Sequence, residues 1–283
     1  MNEALRHSYQ TTTRWDMRQM SDSFLPGLSL NGRRALITGA GTGIGQMIAL
    51  GYAQAGADLV LVGRRAAPLE LTAAAARKFG AVVEVIPADV TAEGDIERIQ
   101  DKAGCIDILV NNAGIAPKHP WKSVPLSEWR AVFDLNVDAV FRLCQLFAPA
   151  MAERGWGRII NISSIYGGLG GNPALYPGIE WDEPAYFASK HAVHGITRYL
   201  ATRLASSGVS INSLSPGAFS GSEQNIKAGL SSPEILRVQY EAIPMRRFGG
   251  AEDIQGVAVF LGSPSAAFLT GQNIIVDGGF TVW

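Results

Sequence analysis

The chain has 283 residues, 47% of them hydrophobic and 17% charged, with a formal net charge of −1. That is enough for one large α/β domain or two small ones, and it excludes both a disordered chain and a basic footprint for nucleic acid or an anionic membrane. Two cysteines without a CxxC pair, Cys105 and Cys144, lie in apolar stretches and read as buried free thiols of a reducing, cytoplasmic setting.

In chain order, the first 29 residues lack the apolar core of a secretory signal. They read as an arm that is either flexible or packed against another subunit. From residue 30 onward, short β-branched runs alternate with longer helical patterns. The runs at 34–38, 58–63, 81–86, 107–112, 158–163, 209–214 and 273–277 read as strands. They are mostly continuous apolar stretches, as parallel strands covered on both faces require. Helical patterns occupy 43–55, 66–79, 92–103, 127–153, 184–207 and 251–262. No apolar run approaches the ~18 residues of a membrane span. The expected architecture is one Rossmann-type, doubly wound parallel sheet of about seven strands, with helices on both faces, over residues 30–283. Two stretches break the alternation: an insertion at 170–184 and a lid-like excursion at 217–248. Both leave the carboxyl ends of strands, where open α/β sheets bind ligands.

The first strand runs into "TGAGTGIG", with Gly39, Gly41, Gly43 and Gly45 around Thr42 and Ile44. Glycines at such a turn let the backbone approach a pyrophosphate, and the helix start offers free N–H groups and a positive dipole end. The GxGxxG spacing fails here. The TGxxxGxG spacing that is present resembles the classical short-chain dehydrogenase/reductase family, whereas extended members would need glycine at Thr42. The second strand ends in Gly63-Arg64-Arg65 with no acid to bond a ribose 2′-hydroxyl. Two guanidinium forks suit a 2′-phosphate, which favours NADP(H) over NAD(H). Farther on, "PADV" resembles the segment that meets the adenine, implying Asp89 and Val90. "NNAG" resembles the fourth-strand signature, implying Asn112, Ala113 and Gly114 at the cofactor. "SPGAF" continues the resemblance and implies Pro216, Gly217, Ala218 and Phe219 there. The threonine usual five residues after that proline is replaced by Gly221, between Ser220 and Ser222.

Moving a hydride to or from a carbinol carbon requires a matched proton transfer at its oxygen. A free tyrosine, with pKa ~10, is a poor base near neutrality, and a fixed ammonium favours its phenolate. Residues four apart on a helix share a face. Of the seven tyrosines, Tyr186 alone has a lysine four residues on, Lys190; Tyr199 is followed by Arg203, deeper along the helix. The pair follows "NISS", and together they resemble the family's Ser, Tyr, Lys arrangement. The resemblance implies Ser164 as the hydroxyl on the substrate oxygen, with Ser163 structural. It implies Asn136, in "FDLNVDAVF", as the residue holding a relay water toward Lys190. Tyr186 and Lys190 would also touch the cofactor, with the pro-S hydride transferred.

His191 and His194 lie one turn apart without a third ligand, so no metal is expected. The resulting expectation is an NAD(P)-dependent oxidoreductase acting on a small secondary alcohol or ketone. Dimers or tetramers are implied by the resemblance. Two alternatives use the same fold: a non-catalytic dinucleotide sensor, which would tend to lose the tyrosine or lysine, and an isomerase or dehydratase. Glu180, Asp182 and Glu183, with Tyr176 and Trp181, either line a pocket for a polyhydroxylated or amine-bearing substrate or form a solvated loop. Arg246 and Arg247 are candidates to face it.

Overall fold

The central apolar runs become strands because they are buried on both faces: every residue of β4 (Ile108–Asn111), β5 (Gly157–Ile162) and β6 (Val209–Pro216) is buried. They pair with β1 (Arg34–Thr38), β2 (Asp58–Gly63), β3 (Val83–Pro87) and β7 (Asn273–Val276). The computed structural model describes residues 26–175, 182–220 and 233–283. Within them the seven strands form one sheet in the order β3-β2-β1-β4-β5-β6-β7, and every neighbouring pair is parallel.

Helices cover both faces. On one, α1 (Gly43–Gln54), α2 (Ala66–Arg77) and α8 (Ala251–Gly262) bury Ile48, Tyr52, Leu69, Ile254 and Leu261 against the sheet. On the other, α3 (Glu93–Ala103), α5 (Ala139–Glu153) and α6 (Pro184–Leu204) bury Ile99, Leu143, Phe147, Met151 and Ala201. Each fully buried leucine or isoleucine contributes about 1.5–3 kcal/mol, so the two apolar layers supply the main driving force of folding.

Strand order reverses between β1 and β4, which opens a crevice at their carboxyl ends. Buried amides brace this point: Asn111 Nδ2 donates to Asn161 Oδ1 at 2.9 Å, and Asn161 Nδ2 donates to Thr197 Oγ1 at 3.0 Å.

Four local results differ from or refine the sequence reading. The helix expected over 127–153 is divided into α4 (Leu126–Phe133), a π turn (Asp134–Asp138) and α5. The lid-like excursion holds a helix, α7 (Pro233–Ala242), while residues 221–232 lie outside the described residues. Of the 170–184 insertion, a 3-10 turn at Pro173–Leu175 and residues 182–184 are described; Tyr176, Glu180 and Trp181 lie outside, as does the arm up to residue 25. Cys144 is buried as expected, but Cys105 is exposed because it follows the Gly104 turn that ends α3. Among the described residues, no helix is long and apolar enough to cross a membrane.

Candidate active site

The turn after β1 is built around backbone that only glycine tolerates well. Gly39 and Gly43 have φ of 65° and 58°, in the left-handed region. A Cβ at Gly43 would meet nothing within 4 Å, so its outer face lies open to the crevice. At Gly45 a Cβ would collide with the Gly39 carbonyl and Asn112 Nδ2. Gly45 therefore packs the turn from behind and is not part of the cleft wall, unlike Gly39, Gly41, Thr42, Gly43 and Ile44. Asn112 fastens the turn to β4, its Nδ2 donating to the Thr38 carbonyl at 2.8 Å and the Gly39 carbonyl at 3.3 Å. The Thr38 hydroxyl returns the tie, accepting from the N–H groups of Asn112 and Ala113 at 2.9 and 3.0 Å.

These groups open onto a cleft of about 900 Å³. Its wall also holds Arg64, Arg65, Asp89, Val90, Ala113, Gly114, Pro216, Gly217, Ala218 and Phe219. The Asp89 carboxylate accepts from the Thr91 N–H and hydroxyl at 3.0 and 2.7 Å. Those bonds and the Arg64 charge outweigh its burial and hold its pKa below the usual carboxylate value.

Opposite, the end of β5 and the start of α6 bring Ser164, Tyr186 and Lys190 to the same cleft. Pro184 in the first turn of α6 sets its start, and the four-residue spacing puts Tyr186 and Lys190 on one face. Ser164 caps the short turn that follows β5, accepting from the Tyr166 N–H at 3.2 Å, and its hydroxyl is hydrogen-bonded to the Tyr186 phenol. The buried Lys190 Nζ donates to the Ile162 carbonyl at 2.8 Å and lies 5.6 Å from the centre of the Tyr186 ring. The Ser163 hydroxyl is engaged elsewhere, donating to the Lys190 carbonyl at 3.1 Å and pairing with His194 Nε2 at 3.2 Å. His194 Nδ1 meets Ser213 Oγ at 2.9 Å, which accounts for this histidine as a tie between β5, α6 and β6.

Asn136 lies in the π turn, behind the cleft wall at Gly114. Its Nδ2 donates to the Ile115 carbonyl at 2.9 Å and to Ser189 Oγ at 3.0 Å, and its Oδ1 accepts from the Ile115 N–H at 2.9 Å.

Electrostatics correct one expectation. Tyr186 is not lowered by Lys190: burial, with Glu183 and Tyr166 nearby, pushes its pKa up to about 12 against the pull of the Ser164 bond. Burial pulls the Lys190 ammonium down to about 8. Arg246 and Arg247 do not line the cleft. Arg247 is held by both oxygens of Asp253 at 2.6 and 2.7 Å, and Arg246 donates to the Glu241 carbonyl.

The wall contains side chains with no motif to announce them: Lys118, Tyr166, Glu183, Gln239, Ile243 and Phe280. Glu183 is one of the three acids of the insertion, and its place immediately before the α6 proline is its signal in the sequence.

The family model described as enoyl-(acyl carrier protein) reductase matches residues 39–281. A galactitol 2-dehydrogenase (L-tagatose-forming) of Cereibacter sphaeroides is 39% identical over 90% of this chain and 97% of its own. The structure of a gluconate 5-dehydrogenase from Burkholderia cenocepacia J2315, in complex with NADP and tartrate, superposes with a TM-score of 0.82. It is 34% identical and covers 92% of this chain and 99% of its own. A 7α-hydroxysteroid dehydrogenase complexed with NADH and a 7-oxo bile acid gives 0.81 at 33% identity, over 89% of this chain and 96% of its own. With the seven-stranded parallel sheet and the glycine turn, these matches identify the chain as a classical short-chain dehydrogenase/reductase, an NAD(P)-dependent oxidoreductase interconverting a secondary alcohol and a ketone.

Proposed function

We propose that the chain oxidises a polyhydroxylated secondary alcohol, or reduces the matching ketone, with NADP(H) preferred. The observation that carries the reading is the meeting of Ser164, Tyr186 and Lys190 in the cleft that the glycine turn opens into. The open face of Gly43 and the free N–H groups at the start of α1 fit a dinucleotide pyrophosphate. Arg64 and Arg65 at the end of β2 suit a 2′-phosphate. When bound, the nicotinamide supplies the hydride acceptor or donor.

In this reading the Ser164 hydroxyl orients the substrate oxygen, and the Tyr186 phenol exchanges a proton with it. Lys190, held beside the Tyr186 ring by the Ile162 carbonyl and with its own pKa drawn down to about 8, replenishes the phenol's proton. Asn136 has both amide hydrogens spent on Ile115 and Ser189, so it keeps the π turn in shape beside Gly114. Any relay water toward Lys190 is left to its oxygen atoms. The polyhydroxylated substrate class rests on the galactitol and gluconate dehydrogenase relatives and on the polar wall formed by Lys118, Tyr166 and Glu183.

The domain plan that accompanies this reading is one catalytic domain over 30–283, preceded by an arm. A homodimer or homotetramer fits the exposed Phe141 and Tyr199 on α5 and α6. A cytoplasmic location fits the free cysteines.

Tyr186→Phe tests the core of the proposal. Turnover of alditols with NADP⁺ should fall by about 10²–10⁴-fold, while NADPH affinity by fluorescence titration stays within twofold (~0.4 kcal/mol). Undiminished turnover in this variant would remove Tyr186 from the chemistry.

A further inference from the structure

Lys190 is gripped at both ends by two adjacent residues where β5 leaves the sheet. Its Nζ donates to the Ile162 carbonyl at 2.8 Å, and its own main-chain carbonyl accepts from the Ser163 hydroxyl at 3.1 Å. A helix carbonyl ordinarily takes one hydrogen bond, from the N–H four residues on; for Lys190 that residue is His194. The His194 ring reaches the same carbonyl a second way, through Ser163, whose Oγ lies 3.2 Å from Nε2. On the far side of the ring, Nδ1 meets Ser213 Oγ at 2.9 Å. Ser163, His194 and Ser213 are all buried. Burial, with Arg198, His191 and Lys190 nearby, pulls the His194 pKa down to about 4, so the ring is neutral. With the Ser163 proton committed to the Lys190 carbonyl, Nε2 carries the ring proton and Nδ1 accepts from the Ser213 hydroxyl.

Packing alone does not account for this chain of polar groups. Burying three polar side chains costs free energy that an apolar trio of the same shape would avoid. The chain ends instead where position matters. Ser163 directly precedes Ser164, and the turn that follows lies against the pair: a Cβ at Gly167 would come within 2.5 Å of His194 Nε2 and 2.7 Å of Ser163 Oγ. The front of α6 is fastened separately, at a junction where the Asp182 carbonyl accepts from the His119 N–H at 3.0 Å and Asp182 Oδ2 accepts from the Trp121 N–H at 2.6 Å. Tyr186 lies close behind that junction. Lys190 lies one turn deeper, where the Ser163 bond ties the helix to the end of β5.

We propose that Ser163 and His194 are positioning residues for the reaction: together they seat Lys190 against the end of β5, and so fix the point from which the Tyr186 proton is replenished. The assignment rests on the roles proposed above for Tyr186 and Lys190 and deepens them. His194 does not line the cleft and acts through Ser163. A loosened clamp leaves the glycine turn intact but frees the Lys190 amine to leave the Ile162 carbonyl. A displacement of about 1 Å near reacting groups can cost about 10²-fold in rate.

The test sets three variants against wild type. Ser163→Ala removes the bond to the Lys190 carbonyl. His194→Gln keeps an amide N–H at the place of Nε2, while His194→Asn keeps an acceptor at the place of Nδ1, so each retains one of the two ring bonds. Galactitol oxidation by NADP⁺ gives kcat and KM, NADPH titration checks the cleft, and crystal structures locate Lys190. Ser163→Ala and His194→Asn should lower kcat by about tenfold or more, with KM and NADPH affinity held within about twofold, and Lys190 Nζ should lie off the Ile162 carbonyl. His194→Gln should keep kcat within about threefold of wild type. Equal losses in the two histidine variants, following their melting temperatures, would reduce the pair to a structural tie and overturn the proposal. So would an unmoved Lys190 or an unchanged kcat in Ser163→Ala, which removes one atom and decides by itself when a histidine variant does not fold. Because Lys190 is located without substrate, a displaced amine in a protein whose wild type leaves galactitol untouched would support the clamp while counting against the polyol reading.

Discussion

At the scale of single residues, the proton-handling groups are held away from their ordinary ionisation, and this has a measurable cost. The buried Lys190 has its pKa drawn from 10.5 down to about 8. The folded chain sheds that proton before the unfolded chain does. The penalty is therefore complete below about pH 8 and is relieved as pH climbs toward 10.5, where the unfolded state holds more protons. Without cofactor, wild type should gain stability relative to Lys190→Met between pH 8 and 10, read by urea denaturation. A constant gap between the two would contradict it. Tyr186 is shifted upward and adds an opposite slope only above pH 10, present in both proteins. Arg64→Ala should raise the NADPH dissociation constant about tenfold, or ~1.4 kcal/mol, with NADH binding unchanged; equal losses for both would exclude a 2′-phosphate contact. The tyrosine was legible in sequence because a four-residue offset is a statement about one helix face. Lys118 is not legible there and Glu183 only as one of two alternatives, because their place in the cleft depends on two irregular segments meeting, and no periodicity encodes that.

At the scale of elements, the stiffness of the site comes from side-chain ties between neighbouring strands and helices. Gly45→Ala would press a methyl into the Gly39 carbonyl and Asn112 Nδ2. Relieving that pressure means loosening the amide that joins the β1 turn to β4. The substitution should cost about 1–3 kcal/mol and weaken binding of both dinucleotides, as measured by melting temperature and titration. His194 is 7% exposed, and burial beside Arg198, His191 and Lys190 pulls its pKa down to about 4, so it stays neutral as a bridge between Ser163 and Ser213. His194→Ala should cost about 2–4 kcal/mol in urea denaturation, since it opens a void and strands two hydroxyls. Strands and helices were legible from their apolar runs to within a few residues. The π turn at Asp134–Asp138 was not, because a single wide turn leaves the apolar spacing of α4 and α5 reading as one continuous helix.

At the scale of the whole molecule, two apolar layers enclose a sheet whose order reverses between β1 and β4, and everything chemical gathers at that one edge. The proposed assembly through α5 and α6 leads to a direct expectation. Phe141→Asp, at a position 41% exposed, should shift sedimentation toward the monomer with the far-ultraviolet spectrum unchanged; an unaltered mass would place the contact elsewhere. The Asp182 junction also bears on how such a protein can be re-specified. The stretch leading into α6 is stitched to the loop after β4 by bonds to His119 and Trp121, so it is not a cassette that can be exchanged by itself. A transplant from a relative that lacks a carboxylate at 182 arrives with the fastening to Trp121 cut. Substitutions in the two strips, some sixty residues apart in the chain and adjacent in space, should therefore be non-additive in their effect on what the cleft accepts.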